Sequence, residues 1–273
     1  MAWKQNIIED FKQLVSFDPI SFHERNTADW LIERLQKMGF SVEEDDAGSH
    51  YGGDTGNLYA VLDGTLPGDP VIFCAHMDVV EPGSGKKSIV EEDGTIHSAG
   101  DTVLGADDIS GILEILYGVQ LVLDSGKPHK KIEILFTIGE ELYVKGSDVF
   151  DYSKVTAKQA YVLDLSEETT FNIGTIQGGT ATNIVPDCCV LTAYETTLES
   201  KSVTDFQKAC EILGFSGELT GTFGGSDNNS FAKNGIEGLV LSNGMYNAHS
   251  TREYTTVDDL YKGAELIGQL ILL

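Results

Sequence analysis

Two mainly apolar stretches constrain the fold of this chain more than any other feature of its sequence. One lies in residues 71–80, which include Val-Ile-Phe-Cys-Ala, and the other lies in residues 131–137, which include Ile-Leu-Phe. Strands without a polar face belong in the centre of a sheet that is covered on both sides, as in parallel α/β proteins. These stretches therefore predict buried central strands.

Helical segments alternate with such strands along most of the chain. Apolar residues at helical spacing predict helices over residues 4–16, 25–38, 108–124, 203–213 and 227–233, and from residue 257 onward. Further strands are predicted over residues 57–62, 87–91, 95–98, 161–165 and 238–242. Thr256, followed three residues later by Asp259, predicts an N-cap for the last helix. The alternation predicts the α/β class, with a mainly parallel mixed sheet and helices on both faces.

The composition excludes several classes of protein. The 273 residues carry 18 basic and 43 acidic side chains, a formal net charge of −25 that the phosphates of a nucleic acid would repel. No apolar run is long enough to span a membrane, and the first residues lack the apolar core of a signal peptide. We therefore expect a cytoplasmic protein with neither a nucleic-acid nor a membrane partner. The cysteines contain no C-x-x-C pair, which predicts reduced thiols.

Five short polar segments lie at, or just beyond, the carboxyl ends of predicted strands, where open α/β sheets bind their ligands. They contain His76 with Asp78, Asp107 with Asp108, Glu140 with Glu141, Asp164, and His249. Each segment alone is explained by a solvated surface, a helix cap or a loop. Their shared placement predicts a common site, because scattered surface acids have no reason to prefer one edge of the sheet. Two histidines with several carboxylates suit zinc, and the surplus of acids suits two cations instead of one.

In this order, the segments resemble the cocatalytic dizinc exopeptidase family, which includes peptidase T, carboxypeptidase G, aminoacylase and succinyl-diaminopimelate desuccinylase. The peptidase T branch is the most similar, because residues 98–108, Ser-Ala-Gly-Asp-Thr-Val-Leu-Gly-Ala-Asp-Asp, are very like the loop of its bridging ligand. Residues 178–186 and 224–227 also resemble family segments. The resemblance covers most of the chain and implies the fold of the family's catalytic domain.

The resemblance also implies a set of ligands for two divalent metal ions, which in this family are zinc. His76 and Asp164 would bind one ion, Glu141 and His249 would bind the other, and Asp107 would bridge the two. A cis peptide bond is implied between Asp107 and Asp108. Asp at position 164 is more typical of the peptidases than of the deacylases.

Roles in catalysis follow from the same resemblance. Glu140 would be the general base that takes a proton from the attacking water. Asp78 would orient the ring of His76, in the manner of a carboxylate that supports a metal-bound histidine. Within residues 178–186, Asn183 is a candidate substrate-binding residue.

The chain departs from the family in the region of the lid. Members usually carry a long lid domain after the strand of Asp164, whereas residues 166–201 are enough for one β-hairpin only. We predict that residues 1–165 form the first part of the catalytic domain and residues 202–273 the second part. Residues 166–201 would be a vestigial lid, a hairpin with Gly178-Gly179 near its turn. Because family dimers commonly form through the lid, we expect a monomer or an oligomer that does not use it.

Substrate-binding residues of the family are missing as well. The lid histidine that would reach the oxyanion has no match, the substrate-binding arginine falls near Thr196, and the lysine after the paired aspartates is Ile109. The leading hypothesis is metal-dependent hydrolysis of the amide bond of small peptides, in the manner of a tripeptide aminopeptidase, or of N-acyl amino acids. The alternative is a non-catalytic metal-binding pseudoenzyme or an isolated catalytic core without its lid. A third possibility is a lidless aminopeptidase that recognises the substrate amine through acidic side chains.

Overall fold

Helices and strands alternate along the chain, as the sequence predicts. The computed structural model describes residues 2–165, 177–178, 189–190, 197–220 and 225–273. Its helices are α1 (Ala2–Val15), α2 (Arg25–Lys37), α3 (Ala106–Ser125), α4 (Lys145–Val149), α5 (Lys201–Leu213), α6 (Asn228–Lys233) and α7 (Val257–Ile271). Its strands are β1 (Ser41–Glu44), β2 (Leu58–Leu62), β3 (Val71–His76), β4 (Ser88–Val90), β5 (Thr95–Ser98), β6 (Ile132–Thr137), β7 (Gln159–Leu165), β8 (Gln177–Gly178), β9 (Cys189–Val190), β10 (Glu237–Ser242) and β11 (Tyr254–Thr256).

The main sheet has the strand order β1-β2-β6-β3-β7-β10. Strands β6, β3, β7 and β10 are parallel, whereas β2 pairs antiparallel with both β1 and β6. The sheet is therefore mixed and mainly parallel, which confirms the predicted fold class. The predicted hairpin is present as well, because β4 pairs antiparallel with β5 in a small sheet that also contains β11.

Alternate side chains of β3 enter two cores, one on each face of the main sheet. Phe73 and Ala75 belong to the larger core, to which α1, α2, α3 and α7 contribute. Ile72 and Cys74 belong to the smaller core, which includes Phe231 of α6. These four side chains are all buried. Because β3 is apolar on both faces, both faces must be buried, and helices on the two sides of the sheet bury them. None of the helices in the described part of the chain combines the length and the apolar character needed to cross a bilayer.

The ends of three elements bear on the site. The strand predicted over residues 71–80 ends at His76, because the backbone then turns toward the N-terminal segment, where the N–H of Val79 donates to the carbonyl of Pro19. Asp78 therefore lies in a loop and does not share a strand face with His76. The backbone of Asp107 and Asp108 is not helical, so the regular part of α3 begins after them, one residue later than predicted. The predicted cap is confirmed, because the side chain of Thr256 accepts a hydrogen bond from the N–H of Asp259.

Most of the predicted lid, residues 166–201, lies outside the described residues. Within it, Gln177–Gly178 pairs antiparallel with Cys189–Val190. Gly179, at the predicted turn, and the candidate substrate-binding residue Asn183 are not among the described residues. The domain division at residues 165 and 202, the vestigial lid and the expected oligomeric state stay predictions.

Candidate metal centre

The carboxyl ends of the parallel strands bring the predicted ligands to one edge of the sheet. His76 ends β3, Glu140 and Glu141 follow β6, Asp164 lies at the end of β7, Asp107 opens α3, and His249 follows β10. Ligand atoms of His76, Glu140 and Asp164 all lie within 4.8 Å of one another. The same is true of ligand atoms of His76, Asp107 and Glu141. Residues from distant parts of the chain thus form one cluster, at the edge where α/β sheets bind their ligands.

Asp107 lies between the two histidines. Its Oδ1 is 3.0 Å from His76 Nε2, and its Oδ2 is 3.0 Å from His249 Nε2. His249 Nε2 is also 3.1 Å from Glu141 Oε1, while His76 Nε2 is 4.0 Å from Asp164 Oδ1. The peptide bond that follows Asp107 is cis, as the resemblance implies. Each carboxylate oxygen of Asp107 faces a different histidine, which is what a bridging ligand requires.

These distances can be compared with the geometry of zinc. Two atoms that bind the same tetrahedral zinc ion, with bonds of about 2.1 Å, lie about 3.4 Å apart. The separations between the histidine nitrogens and the carboxylate oxygens, 3.0 to 4.0 Å, fall on both sides of that value. Imidazole and carboxylate are also the nitrogen and oxygen ligands that zinc prefers. The donor set therefore fits a pair of divalent cations.

Buried carboxylates outnumber the cationic side chains of the cluster. Burial raises the pKa of Glu140 and of Asp164 well above the usual values, and the neighbouring carboxylates raise both further. Hydrogen bonds to Asp107 and Glu141 raise the pKa of His249 to about 11. Although burial acts in the opposite direction, hydrogen bonds from the histidines lower the pKa of Asp107. The raised pKa values of Glu140, Asp164 and His249 show that these groups favour bound protons, the positive charge that divalent cations would supply in their place.

Asp78 is fully buried and contacts both the ring of His76 and the loop after β6. His76 Nδ1 is 3.0 Å from the backbone oxygen of Asp78 and 3.4 Å from its Oδ1. The backbone N–H of Glu140 donates to Asp78 Oδ1 at 3.0 Å, and that of Glu141 donates to Oδ2 at 3.2 Å. Ser21 Oγ also donates to Oδ2, at 2.6 Å. The sequence predicts the contact with His76, but not the hydrogen bonds that hold Glu140 and Glu141.

Sequence reasoning missed other buried polar groups that support the ligands. Asp108 Oδ2 accepts a hydrogen bond from the backbone N–H of His76 at 3.0 Å, and Asn243 donates to Asp108 Oδ1. Glu24 is fully buried, and its Oε1 accepts the N–H of Gly139 at 3.0 Å. Asp108 carried a signal, since it forms part of the paired aspartates. Glu24 and Asn243 carried none, because isolated polar residues near the ends of helices and strands are usually solvated.

The cluster is open to solvent on one side. The side chain of His249 is 55% exposed, whereas those of Asp107 and Glu141 are 7% and 8% exposed. The loop of His249 therefore forms an accessible wall of a site whose other walls are buried.

Comparison with known proteins places the chain in a family. The model of "Peptidase family M20/M25/M40" matches residues 72–273. The uncharacterized protein YqjE of Bacillus subtilis (strain 168) is 26% identical over an alignment of 367 residues, which covers 99% of each chain. That alignment is longer than the 273 residues of this chain, so the relative contains segments without a counterpart here. Peptidase T of Vibrio cholerae serotype O1 is 27% identical over 253 residues, which cover 77% of this chain but 59% of that protein.

Solved structures agree with this assignment. Aminopeptidase PepT from Bacillus cereus ATCC 10987 superposes with a TM-score of 0.86 at 26% identity, over 98% of both chains. A tripeptidase from Staphylococcus aureus has the same fold, with a TM-score of 0.86 at 23% identity, over 98% of this chain and 97% of that one. The family match covers most of the chain and includes every predicted metal ligand. The chain belongs to peptidase family M20/M25/M40, and within it is a peptidase T-like member.

Proposed function

We propose that the chain hydrolyses the amide bond of small peptides, in the manner of a tripeptide aminopeptidase, or of N-acyl amino acids. The observation that carries this proposal is the position of Asp107, whose two carboxylate oxygens each lie 3.0 Å from a different histidine. His76 and Asp164 would hold one zinc ion, Glu141 and His249 the other, and Asp107 both. When bound, such a pair of ions lowers the pKa of a water molecule and polarises the scissile carbonyl.

Glu140 is the proposed general base. It is 9% exposed, and its carboxylate lies within 4.8 Å of the ligand atoms of His76 and Asp164. Burial raises its pKa, which suits a group that must take a proton from water and then give it to the leaving amine. The hydrogen bond from the backbone N–H of Glu140 to Asp78 fixes the position of the backbone that carries this side chain.

The peptide substrate is supported by the relatives. Aminopeptidase PepT of Bacillus cereus aligns with nearly the whole chain at 26% identity, and peptidase T of Vibrio cholerae aligns with 77% of it. Both names describe enzymes that act on peptides, which favours peptides over N-acyl amino acids. The open side of the cluster at His249 leaves room for a short substrate.

The alternative is a protein that binds metal without turnover, and one observation favours it. The remaining histidines, all in the described part of the chain, do not join the metal cluster. His23 Nδ1 lies 3.5 Å from Asp54, His97 Nε2 lies 2.8 Å from Glu91, and His129 Nδ1 lies 2.8 Å from a backbone oxygen. None of these histidines is therefore placed to donate a hydrogen bond to the oxyanion of a substrate. Loss of such a donor typically lowers turnover roughly 10²–10³-fold, so we expect slow hydrolysis.

The test is hydrolysis of a panel of di- and tripeptides and N-acyl amino acids, with and without added Zn²⁺ or Co²⁺. Glu140→Gln should lower the metal-dependent rate at least about 100-fold and keep its zinc, because the amide preserves the shape but cannot take a proton. Glu92→Gln is the matched control, since Glu92 is an exposed acid outside the cluster, and it should behave as the wild type. Wild-type protein that binds two zinc ions but cleaves no substrate would establish the non-catalytic alternative. Wild-type protein that binds no zinc would refute both.

A further inference from the structure

One loop supplies both a proposed metal ligand, His249, and a buried acid, Glu253, and both contact Asp107. The loop lies between β10 and β11 and contains His249 and Glu253. Between them the chain makes a tight turn, in which the N–H of Glu253 donates to the carbonyl of Ser250 at 3.1 Å. His249 contacts the carboxylate of Asp107, whereas Glu253 contacts the backbone of the loop that leads to Asp107.

The carboxylate of Glu253 accepts three backbone hydrogen bonds. Its Oε2 accepts the N–H groups of Leu104 and Gly105, both at 2.7 Å, and its Oε1 accepts the N–H of Asp107 at 2.9 Å. Glu253 is 1% exposed, so these bonds form away from water. Removal of such an acceptor leaves buried N–H groups without a partner, which is costly. The three bonds therefore fix the backbone on both sides of Ala106.

Gly105 makes this arrangement possible. Its φ of 82° lies in the left-handed region, where glycine is favoured, and it turns two successive N–H groups toward one oxygen. A Cβ at this position would lie 3.1 Å from Val79 and 3.4 Å from the buried stem of Lys86. Glycine at position 105 and an acceptor at the position of Glu253 thus both favour this shape of the loop.

We propose that Glu253 is a positioning residue for the metal centre, which holds the backbone of Asp107 so that its carboxylate presents one oxygen to each metal ion. This inference rests on the proposed dizinc function. Because the hydrogen bonds involve backbone groups and no metal ligand atom, Glu253 acts on the metals only through the orientation of Asp107. His249 and Glu253 lie on the same loop, so that loop sets the position of one ligand and of the bridging ligand together.

Glu253→Gln is a sharp test because glutamine has one acceptor oxygen. If that oxygen faces Leu104 and Gly105, the NH₂ group faces the N–H of Asp107, and in the opposite orientation it faces the other two N–H groups. The hydrogen bonds fail at one end in either case. Glu133→Gln is the matched control, since Glu133 is also fully buried and accepts backbone N–H groups of Thr156 and Ala157, but from the opposite end of β6.

Two readouts decide the proposal, zinc affinity and hydrogen–deuterium exchange of residues 103–108. We expect Glu253→Gln to lower the affinity for both zinc ions by about 10–100-fold, as is typical of residues that support metal ligands, and Glu133→Gln to leave it unchanged. Exchange at residues 103–108 should be slow in metal-free wild type and faster in Glu253→Gln. Wild-type zinc affinity in Glu253→Gln, or an equal loss in Glu133→Gln, would overturn the proposal.

The exchange measurement keeps the proposal testable if Glu253→Gln does not fold. Metal-free wild-type protein must then protect the amides of Leu104, Gly105 and Asp107, and rapid exchange there in otherwise folded protein would overturn the role of Glu253. Absence of zinc binding by wild type would instead refute the proposed function. The two failures are distinguishable, because the first is read in metal-free protein and the second by metal titration.

Discussion

Replacement of Asp78 by asparagine should weaken both the fold and the site, by an amount that the hydrogen bonds of Asp78 allow us to state. Its carboxylate accepts the N–H groups of Glu140 and Glu141 on different oxygens, and Ser21 Oγ on one of them. Asparagine offers one acceptor oxygen, so one of the two buried N–H groups must face an NH₂ group. An unsatisfied buried donor costs about 1–3 kcal/mol, whereas Ser21 can rotate its hydroxyl and accept instead.

The matched control for Asp78→Asn is Ser21→Ala, which removes one hydrogen bond of the same carboxylate and leaves both N–H groups paired. We expect Ser21→Ala to lower the free energy of unfolding by about 1 kcal/mol or less, and Asp78→Asn by about 1–3 kcal/mol. Urea denaturation of the zinc-loaded proteins measures both, as a lower midpoint with an unchanged m-value. Because the orphaned N–H belongs to Glu140 or Glu141, kcat/KM should also fall about 10–100-fold in Asp78→Asn. Equal midpoints for the two variants, or wild-type activity in Asp78→Asn, would refute this reasoning.

Three further predictions concern metal and pH. Asp107→Ala should retain less than one zinc ion per chain after dialysis, because both proposed sites share this ligand; two retained ions would show that Asp107 does not bridge. In metal-free protein, burial raises the pKa of Glu24 to about 8 and that of Glu253 to about 7, both from 4.5. Folding therefore favours the protonated forms of both acids, and the stability that they contribute below pH 4.5 is lost as the pH rises through 7 and 8. The thermal midpoint of metal-free protein should thus be lower at pH 8 than at pH 5.5. An equal or higher midpoint at pH 8 would contradict this expectation. A chelator should lower the thermal midpoint of zinc-loaded protein, and added zinc should restore it; a midpoint that does not respond to zinc would exclude a folded-state zinc site.

The central strands could be predicted because their own side chains, which are mainly apolar, indicate burial. β3 is apolar on both faces up to Ala75, and β6 is apolar at Ile132, Ile134, Leu135 and Phe136, so the middle of a covered sheet accommodates both strands. β1 and β11 could not be predicted, since both are short and rich in polar residues. They form because the backbone groups of β2 and β5 pair with theirs, and the sequence of an edge strand does not reveal its neighbour.

The same distinction applies to the cluster. A cluster of the proposed ligands could be predicted from the sequence, because histidines and carboxylates at or just beyond strand ends form a recognisable pattern; these residues are His76, Asp107, Glu141, Asp164 and His249. The further contacts of Asp78 and the role of Glu253 could not, because both carboxylates bind backbone N–H groups of remote segments. Every residue except proline carries such a group, so the identity of the donor leaves no trace in the sequence.

The packing of α3 against α7 has a consequence for the synthesis of this protein. Gly118 lies so close to Ile267 that a Cβ on Gly118 would be 2.6 Å from the Cβ of Ile267. The ribosome completes α3 long before it makes α7, so the apolar face of α3 stays uncovered on the nascent chain, a state that is prone to aggregation. Once residue 165 has been made, the chain contains His76, Asp107, Glu141 and Asp164, but not yet His249. In the proposed dizinc site, a nascent chain of this length lacks one ligand of the second ion, so that ion would gain its full ligand set only after the loop of His249 has been made.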